Sequence, residues 1–451
     1  MKMDLSFKKV ETPSDATLYP ITKAQELLLW SQIFAVERRK AQEDNMLSMT
    51  VTAPAEEGAA EALEKAYNLL LERHDALRTT IIKKGGKKLQ FIRPFKPVTL
   101  PVYSFETEEE CRAWLEEMNH FIIPWYGTEL CLAAMLKHGD KVTLALRFNH
   151  AIADGYSFGL AFRELKEAYY AFMEDREPVL KPAVSITKYC ADEAAYRASA
   201  EHTEDMAYWK KAFHHQRKYS FPAGYTSPLG DVSAVGTLFE GADYERLARL
   251  AEYCHLSIQS VVQPLAALTV YALTGKDNFC FYTMTHGRRT PAQKRTFGCM
   301  MNTVPVFFDF ENKDASIAEA ISGQYMRYLD YLAHSKLPMG DLVPMGYRES
   351  FKHFMNFNHG WMVYSTMDMA ASAADPVLEI RAMPFTHQAQ QFYASILEVP
   401  GKSMKVNLTY QIHKYKKEQA ESYVAAFRKL TDIVAENPEI TLAAIRKAFE
   451  A

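Results

Sequence analysis

The sequence lacks an excess of charge of either sign. It has 52 lysines and arginines against 55 aspartates and glutamates, so the formal net charge at pH 7 is −3. Nucleic-acid-binding proteins present a basic face to the phosphate backbone, and an anionic membrane surface attracts the same kind of basic patch. The composition therefore favours neither partner, and we expect no nucleic-acid binding.

Cysteine is scarce, and long apolar runs are missing. The six cysteines include no Cys-x-x-Cys pair, which is typical of a reducing compartment and argues against a disulfide scaffold. The N-terminus has no apolar signal segment, and the longest apolar stretch is interrupted by Gln263 and Pro264 and is too short to span a bilayer. We therefore expect a cytoplasmic protein without a membrane span.

Motifs for metals and nucleotides are also missing. The 14 histidines form no HxH or HExxH pattern, and neither a P-loop nor a GxGxxG motif occurs. Such patterns are the usual sequence signs of a metal site, a bound nucleotide or nucleotide hydrolysis. The sequence accordingly predicts no metal site and no tightly bound cofactor.

The chain does have enough apolar surface for a large core. It contains 451 residues, with 26 Phe, 25 Tyr and 5 Trp, which predicts two or three compact units and excludes disorder as the main state. Helix-like and strand-like segments alternate without a tandem repeat, a pattern typical of α/β domains. Pro178 and Pro182 mark a boundary, so we predict an N-terminal lobe over residues 1–180 and a C-terminal lobe over 181–451.

Several local patterns predict particular elements. Thr22 and Gln25 fit a helix capping box, as do Ser316 and Glu319. A Gly-Gly pair at 85–86 predicts a tight hairpin. Beyond a helix from Thr22, the predicted helices are 60–71, 111–120, 157–173, 204–213, 257–274, 316–334 and 418–436, and the predicted strands are 79–82, 89–92, 130–137, 141–148, 278–284, 304–310, 361–366 and 405–411.

One cluster of polar residues follows the predicted strand 141–148. His150 is the natural general base, because imidazole titrates near neutral pH without assistance. Asp154 follows four residues later, and Gly155 permits an unusual backbone turn. The residues alone leave a second interpretation open, namely a structural histidine beside a helix-capping aspartate.

The same segment contains a competing motif. Residues 155–159 match G-x-S-x-G, the nucleophile elbow of α/β-hydrolases, which would make Ser157 the nucleophile of an esterase. The buried strand ends too early for that elbow, and no HGGG-type oxyanion loop precedes it. The hydrolase order places Asp and His after Ser, so this interpretation leaves His150 and Asp154 without a role.

A family resemblance explains these residues together. Asn149 and His150, followed by Asp154 and Gly155, resemble the HHxxxDG signature of the condensation domains of nonribosomal peptide synthetases, which is shared across chloramphenicol-acetyltransferase-like acyltransferases. Further segments of the chain are similar to other sequence motifs of this family and occur in the same order. They are 21–30 (SxAQxRLW), 73–79 (RHExLRTxF), 208–209 (YW), 287–288 with 297–303 (GR…GxFVNT) and, more loosely, 334–338 and 354–358.

The resemblance implies an architecture and roles for individual residues. The fold would be two acetyltransferase-like α/β lobes in a V-shaped pseudo-dimer with a tunnel at the interface, and part of about 350–400 would cross back to the first lobe. His150 would be catalytic. Asn149, which replaces the first histidine of the signature, would have a supporting role. Asp154 would form an ion pair with Arg288, with Arg289 as the alternative partner. The candidates for oxyanion or substrate contact are Gly155, Ser157 and Asn302.

The resemblance also implies a function. We expect an acyltransferase that passes an acyl group from a phosphopantetheine thioester on a carrier protein to the amine or hydroxyl of a small-molecule acceptor. A coenzyme-A-dependent O- or N-acyltransferase is the alternative. A non-catalytic recruitment domain, which the change to Asn149 would suit, and a serine hydrolase that uses Ser157 are less favoured. A free-standing enzyme is favoured over an excised module.

Overall fold

The structure is a computed structural model that describes residues 7–33, 39, 42–43, 45–215, 230–338, 340–341, 361–366, 375–383, 387–388, 392–412 and 414–450. The helices are α1 (Lys23–Ile33), α2 (Ala59–Arg73), α3 (Glu108–Asn119), α4 (Gly155–Met173), α5 (Ile186–Arg197), α6 (Ala200–His215), α7 (Ala242–Tyr253), α8 (Ile258–Thr274), α9 (Ile317–Ala333), α10 (Lys417–Glu436) and α11 (Leu442–Glu450). The strands are β1 (Tyr19–Pro20), β2 (Met46–Pro54), β3 (Thr79–Lys84), β4 (Lys87–Ile92), β5 (Val102–Phe105), β6 (Cys131–His138), β7 (Lys141–Asn149), β8 (Gly230–Glu240), β9 (Asn278–Thr285), β10 (Asn302–Asp309), β11 (Trp361–Thr366), β12 (Glu379–Ala382), β13 (His387–Gln388), β14 (Phe392–Val399) and β15 (Ser403–Gln411). The predicted α/β class is confirmed.

The chain divides into two compact units. The first consists of Met1–Ser199, His286–Met301 and Asp368–His387, and the second of Ala200–Thr285, Asn302–Met367 and Gln388–Ala451. Residues 181–199 and 286–301 thus group with the N-terminal part of the chain. The sequence analysis, which divided the chain at 180/181, assigned both segments to the C-terminal lobe. The reason is local: Val184 bridges to Thr296, and the backbone N–H of Ile186 donates to Asp75 at 3.0 Å. The lobes themselves stay a prediction.

A sheet in the first unit carries the candidate site. Its strand order is β12-β2-β7-β6-β5, and β7 pairs antiparallel with β2 on one side and β6 on the other. From its second residue onward β7 is buried, and β2 is almost as deeply buried. The sequence analysis predicted the strand at 141–148 but missed β2, although Ser48, Thr50 and Thr52 alternate with apolar residues along it.

Two further expectations about the first unit are confirmed. Strands β3 and β4 form the predicted hairpin, and Gly85 and Gly86 at its tip have φ of 57° and 75°. Positive φ is strained for other residues, which is why this turn favours glycine. Thr22 and Gln25 form the predicted capping box of α1, since each side chain accepts the other's backbone N–H.

The second unit contains the other large sheet. Its strands follow the order β10-β9-β11-β14-β15-β8, antiparallel except where β11 pairs in parallel with β9 and β14. Residues 261–272 of helix α8 are buried, and the predicted capping box of Ser316 and Glu319 begins α9. No single helix in the described ranges has the length and apolar character needed to cross a membrane; α7 and α8 reach them only as a pair bent by 100°.

Candidate functional site

The candidate site begins where the buried strand β7 ends. Asn149 is its last residue, and a single 3₁₀ turn, His150–Ile152, follows. Both polar atoms of the buried Asn149 amide form hydrogen bonds. Oδ1 accepts from the backbone N–H of Ala151 at 3.0 Å, and Nδ2 donates to the carbonyl of Ile123 at 3.0 Å. The residue that replaces the first histidine of the signature thus caps the turn that carries His150.

His150 is partly exposed and lies between fixed backbone groups. Its backbone N–H donates to the carbonyl of Asn45 at 2.9 Å. Its ring nitrogen Nδ1 is buried and has no hydrogen-bond partner among the residues that the structure describes. Burial lowers the pKa of His150, and backbone hydrogen bonding at His150 and Ala153 together with the Asp154 carboxylate offsets that effect only in part. The imidazole is therefore neutral at pH 7, the protonation state that a general base requires.

Asp154 caps the next helix, α4. Its Oδ1 accepts from the backbone N–H and the hydroxyl of Ser157, both at 2.9 Å, which closes the first turn of α4. Its Oδ2 accepts from Arg288 Nη1 at 2.8 Å and from the backbone N–H of Met300 at 2.9 Å. Burial would raise the pKa of Asp154, but Arg288 and the N–H donors outweigh it, and the pKa lies below the ordinary carboxyl value.

The expected ion pair with Arg288 is therefore present, although the orienting role given to it stays a prediction. Both side chains are almost completely buried. Every N–H of the guanidinium has a partner: besides Asp154, they are the hydroxyl of Ser157 and the carbonyls of His286, Thr296 and Gly298, at 2.8 to 3.2 Å. A planar fork of five donors suits such a set of acceptors, and a lysine could not replace it.

A glycine turn brings Arg288 to Asp154. Gly287 has φ of 67°, and a Cβ at this position would lie 1.7 Å from the carbonyl oxygen of Met300. Gly298 is also crowded, because a Cβ there would lie 2.4 Å from Cδ1 of Ile186. The two glycines explain how residues 287–300 approach the first turn of α4 closely enough to complete its hydrogen bonds.

Ser157 lies inside this network. Its side chain is fully buried, and its hydroxyl lies 2.9 Å from both Asp154 Oδ1 and the Gly298 carbonyl and accepts from the backbone N–H of Gly298 at 3.0 Å. A hydroxyl with so many fixed partners is poorly placed to attack or to contact a substrate. This geometry favours neither the hydrolase interpretation nor a substrate-contacting role for Ser157.

The other two predicted contact residues differ in setting. Gly155 is exposed at the first position of α4, where a backbone N–H has no partner within the helix. A Cβ at Gly155 would meet open space. Asn302 belongs to the second unit, where its Nδ2 donates to the carbonyls of Ser335 and Leu337 at 2.9 and 2.7 Å. Its predicted contact with substrate stays a prediction.

Two residues make contacts near the signature loop (residues 149–155) that the sequence analysis did not predict. His286 is exposed, its ring lies 5.1 Å from that of Tyr156, and its Nδ1 accepts the backbone N–H of Arg288 at 3.0 Å. Gln25 reaches the carbonyl of Ala151 from a helix 126 residues earlier. His286 directly precedes the matching block at 287–288, and Gln25 belongs to the block at 21–30, but neither block nor the capping box predicts these contacts.

No group of three or more His, Cys, Asp or Glu side chains in the described ranges is arranged to hold a metal ion. The loosely matching block at 354–358 lies outside the described residues.

Comparison with known proteins places this geometry in context. A family model described as a condensation domain matches residues 15–448. Surfactin synthase subunit 1 of Bacillus subtilis (strain 168) is 22% identical over 349 residues, which cover 73% of this chain but only 9% of that protein. The chain therefore spans less than a tenth of the length of this curated relative.

Solved structures give the same fold. The first condensation domain of the calcium-dependent antibiotic synthetase, in complex with a substrate analogue, has a TM-score of 0.77 at 18% identity, covering 95% of this chain and 98% of that one. A mutant of the starter condensation domain of rhizomide synthetase RzmA, in complex with C8-CoA, has a TM-score of 0.75 at 16% identity, covering 95% and 97%.

Proposed function

The chain belongs to the condensation domain family, and from that premise we propose that it transfers an acyl group from a phosphopantetheine thioester on a carrier protein to an amine or hydroxyl nucleophile. Condensation domains of nonribosomal peptide synthetases form amide bonds between carrier-bound substrates, so acyl transfer is the activity of the family. The donor, the acceptor and the carrier partner of this chain are part of the proposal, as is a cytoplasmic location.

The placement of His150, partly exposed on a turn that Asn45 and Asn149 hold, is the observation that carries the proposal. In the reaction, the nucleophile attacks the thioester carbonyl, the tetrahedral oxyanion collapses, and the carbon–sulfur bond breaks. The proton of the nucleophile must reach the departing thiolate. His150 either takes that proton as general base or holds the nucleophile and the intermediate by hydrogen bonds. Because burial lowers its pKa, the imidazole retains the free lone pair that either role needs.

The exposed N-terminus of α4 offers a second contribution. The backbone N–H of Gly155 lies at the positive end of the helix dipole and has no intrahelical partner. Such a donor stabilises an oxyanion or orients the thioester, provided that the reacting carbonyl lies next to it. We assign this contact to Gly155, which is exposed, rather than to Ser157, which is fully buried.

Asp154 and Arg288 act on this contact indirectly. Their ion pair fixes the first turn of α4 and ties it to the turn at Met300. Positioning of this kind contributes to the rate because reacting groups held in the correct geometry avoid the entropy cost of finding it. In this proposal the two residues are positioning residues, and neither contacts the reacting atoms.

A coenzyme A thioester remains the alternative donor. The relative RzmA was solved in complex with C8-CoA, so a coenzyme-A-linked acyl group is a reasonable second substrate class to test. We favour the carrier-bound donor because the chain is similar to segments of large synthetases such as surfactin synthase subunit 1.

The test is a two-donor assay. The protein is incubated with amine and hydroxyl acceptors. The same acyl group is supplied either on a phosphopantetheinylated carrier protein or on coenzyme A, and products are identified by mass. We expect an acylated acceptor with the carrier-bound donor, formed about 10²–10⁴-fold more slowly by His150→Ala. Turnover with coenzyme A alone would select the alternative. An acyl-enzyme at Ser157 would select the hydrolase, and absence of turnover with every donor would favour recruitment.

A further inference from the structure

We propose that Gln25 is a positioning residue for His150, which it reaches through the carbonyl of Ala151; this deepens the proposed function and rests on it for the role of His150. Gln25 lies at the third helical position of α1. The side-chain Oε1 of Gln25 accepts the backbone N–H of Thr22 at 2.7 Å, and the backbone N–H of Gln25 donates to Thr22 Oγ1 at 3.2 Å. A capping role alone would be satisfied by these two bonds.

The amide nitrogen of Gln25 makes two more bonds that capping does not require. Nε2 donates to the carbonyl of Ala151 at 2.9 Å and to Oε1 of Gln90 at 2.9 Å. Gln90 is itself fixed, since its Nε2 donates to the carbonyl of Pro20 at 2.9 Å. Gln25, Gln90 and Ala151 are all buried, so none of these bonds has water as a substitute.

The Ala151 carbonyl is the last of three anchors on the turn His150–Ile152. The backbone N–H of His150 donates to Asn45, and the N–H of Ala151 donates to Oδ1 of Asn149. Asn149 is the last residue of β7, and Asn45 directly precedes β2. Gln25 adds a third anchor from a separate helix, and it fixes the peptide plane that follows Ala151. The backbone on both sides of the His150 side chain is therefore held.

The position needs a side chain that accepts once and donates twice. A primary amide does so, whereas a carboxylate accepts only. Glutamate in place of Gln25 would therefore keep the capping bond from Thr22 but would place an oxygen against the carbonyl of Ala151. Because a capping box works with either Glu or Gln, Gln25→Glu separates the loop contact from the helix cap.

Thr22→Ala is the matched control. It removes the hydroxyl that accepts the backbone N–H of Gln25 and leaves both donors of the Gln25 amide in place. In the acyl-transfer assay we expect Gln25→Glu to lower kcat by about 10- to 100-fold with KM within about twofold, because small misplacements of a catalytic group cost that much. We expect Thr22→Ala to keep kcat within about twofold. Equal losses in the two variants would overturn the proposal.

A second readout does not depend on turnover. The pKa of His150 is measured by NMR of 13C-labelled histidine, with His150→Ala used for assignment, in Gln25→Met and Thr22→Ala, both of which are neutral changes. Loosening of the turn admits water to the buried Nδ1 of the imidazole, so we expect the pKa of His150 to rise toward its ordinary value in Gln25→Met and to stay unchanged in Thr22→Ala. An unchanged pKa in Gln25→Met would refute the positioning role. A wild type that never turns over would refute the proposed function alone.

Discussion

His150 combines two properties that rarely occur together on the surface of a protein. Its side chain is partly exposed, yet Nδ1 is buried without a hydrogen-bond partner in the described part of the chain. Removal of water from that side of the ring disfavours the imidazolium ion and lowers the pKa. The environment, and not a neighbouring charge, keeps this histidine neutral.

The pH dependence of acyl transfer should follow from this. A base must be deprotonated to act, and the folded protein holds the pKa of His150 below 6.5, its ordinary value. We therefore expect kcat/KM to rise with pH along a limb whose midpoint lies below 6.5 and to be level by about pH 7. A pH–rate profile at donor concentrations well below KM measures it. A limb centred well above 6.5 would contradict the assignment of the base.

Substitutions at His150 and Ser157 separate the two interpretations of the signature loop. We expect His150→Ala to lower kcat by about 10²–10⁴, the usual contribution of a positioned proton-transfer group. Ser157→Ala should affect folded yield more than kcat per folded molecule, because its hydroxyl belongs to a buried network. The measurements are steady-state kinetics, thermal unfolding and labelling with a fluorophosphonate. Covalent labelling at Ser157 would reverse the assignment.

At the scale of elements, α4 and the segment 286–301 are joined by one buried ion pair. Asp154 caps α4, and Arg288 bonds to Asp154, to Ser157 and to three backbone carbonyls. Removal of one partner leaves a buried charge without compensation, which costs about 3–5 kcal/mol. We expect Asp154→Ala to lower the free energy of unfolding by that amount in urea titrations. A loss under about 1 kcal/mol would contradict the role of the pair.

The same pair should make stability depend on pH. The folded pKa of Asp154 lies below its ordinary value near 3.8. The stabilisation is therefore fully present above the unfolded pKa and is lost as pH falls through the folded pKa. Wild-type protein should lose more stability between about pH 5 and pH 2 than Asp154→Asn, in which the charge is already absent. Parallel curves for the two proteins would argue against it.

Alanine substitutions at two glycines separate an effect on folding from an effect on activity. A Cβ at Gly287 would collide with the Met300 carbonyl, and its φ is positive, so Gly287→Ala should lose folded protein. A Cβ at Gly155 would meet open space at an ordinary helix position. Gly155→Ala should keep its melting temperature within about 2 °C but lower kcat/KM, because the methyl group would intrude where the thioester is proposed to bind. Unchanged kinetics would remove Gly155 from the site.

For the whole molecule, the sequence predicted those strands, turns and helix caps that short-range residue patterns determine. The strand at 141–148, the hairpin at Gly85 and Gly86 and both capping boxes follow from periodicity and local chemistry. Strand β2 was missed although Ser48, Thr50 and Thr52 alternate with apolar residues, the period of a strand, along its length.

Contacts between residues far apart in the sequence could be predicted only from the family resemblance, or not at all. Asp154 and Arg288 are 134 residues apart, and only the matching blocks suggested the pair. The bond from Gln25 to Ala151 spans 126 residues, and no periodic or spacing rule links a helix cap to a distant carbonyl. Side-chain contacts of this kind are fixed by tertiary packing, which a single sequence does not display.

The most direct measurement of the central claim is single-turnover acyl transfer from a loaded carrier protein, followed by intact-mass analysis of both carrier and acceptor. The account predicts that the carrier loses the acyl mass, that the acceptor gains it, and that His150→Ala slows this transfer by about 10²–10⁴ while it keeps the wild-type melting temperature. Transfer at the wild-type rate by folded His150→Ala would contradict the account.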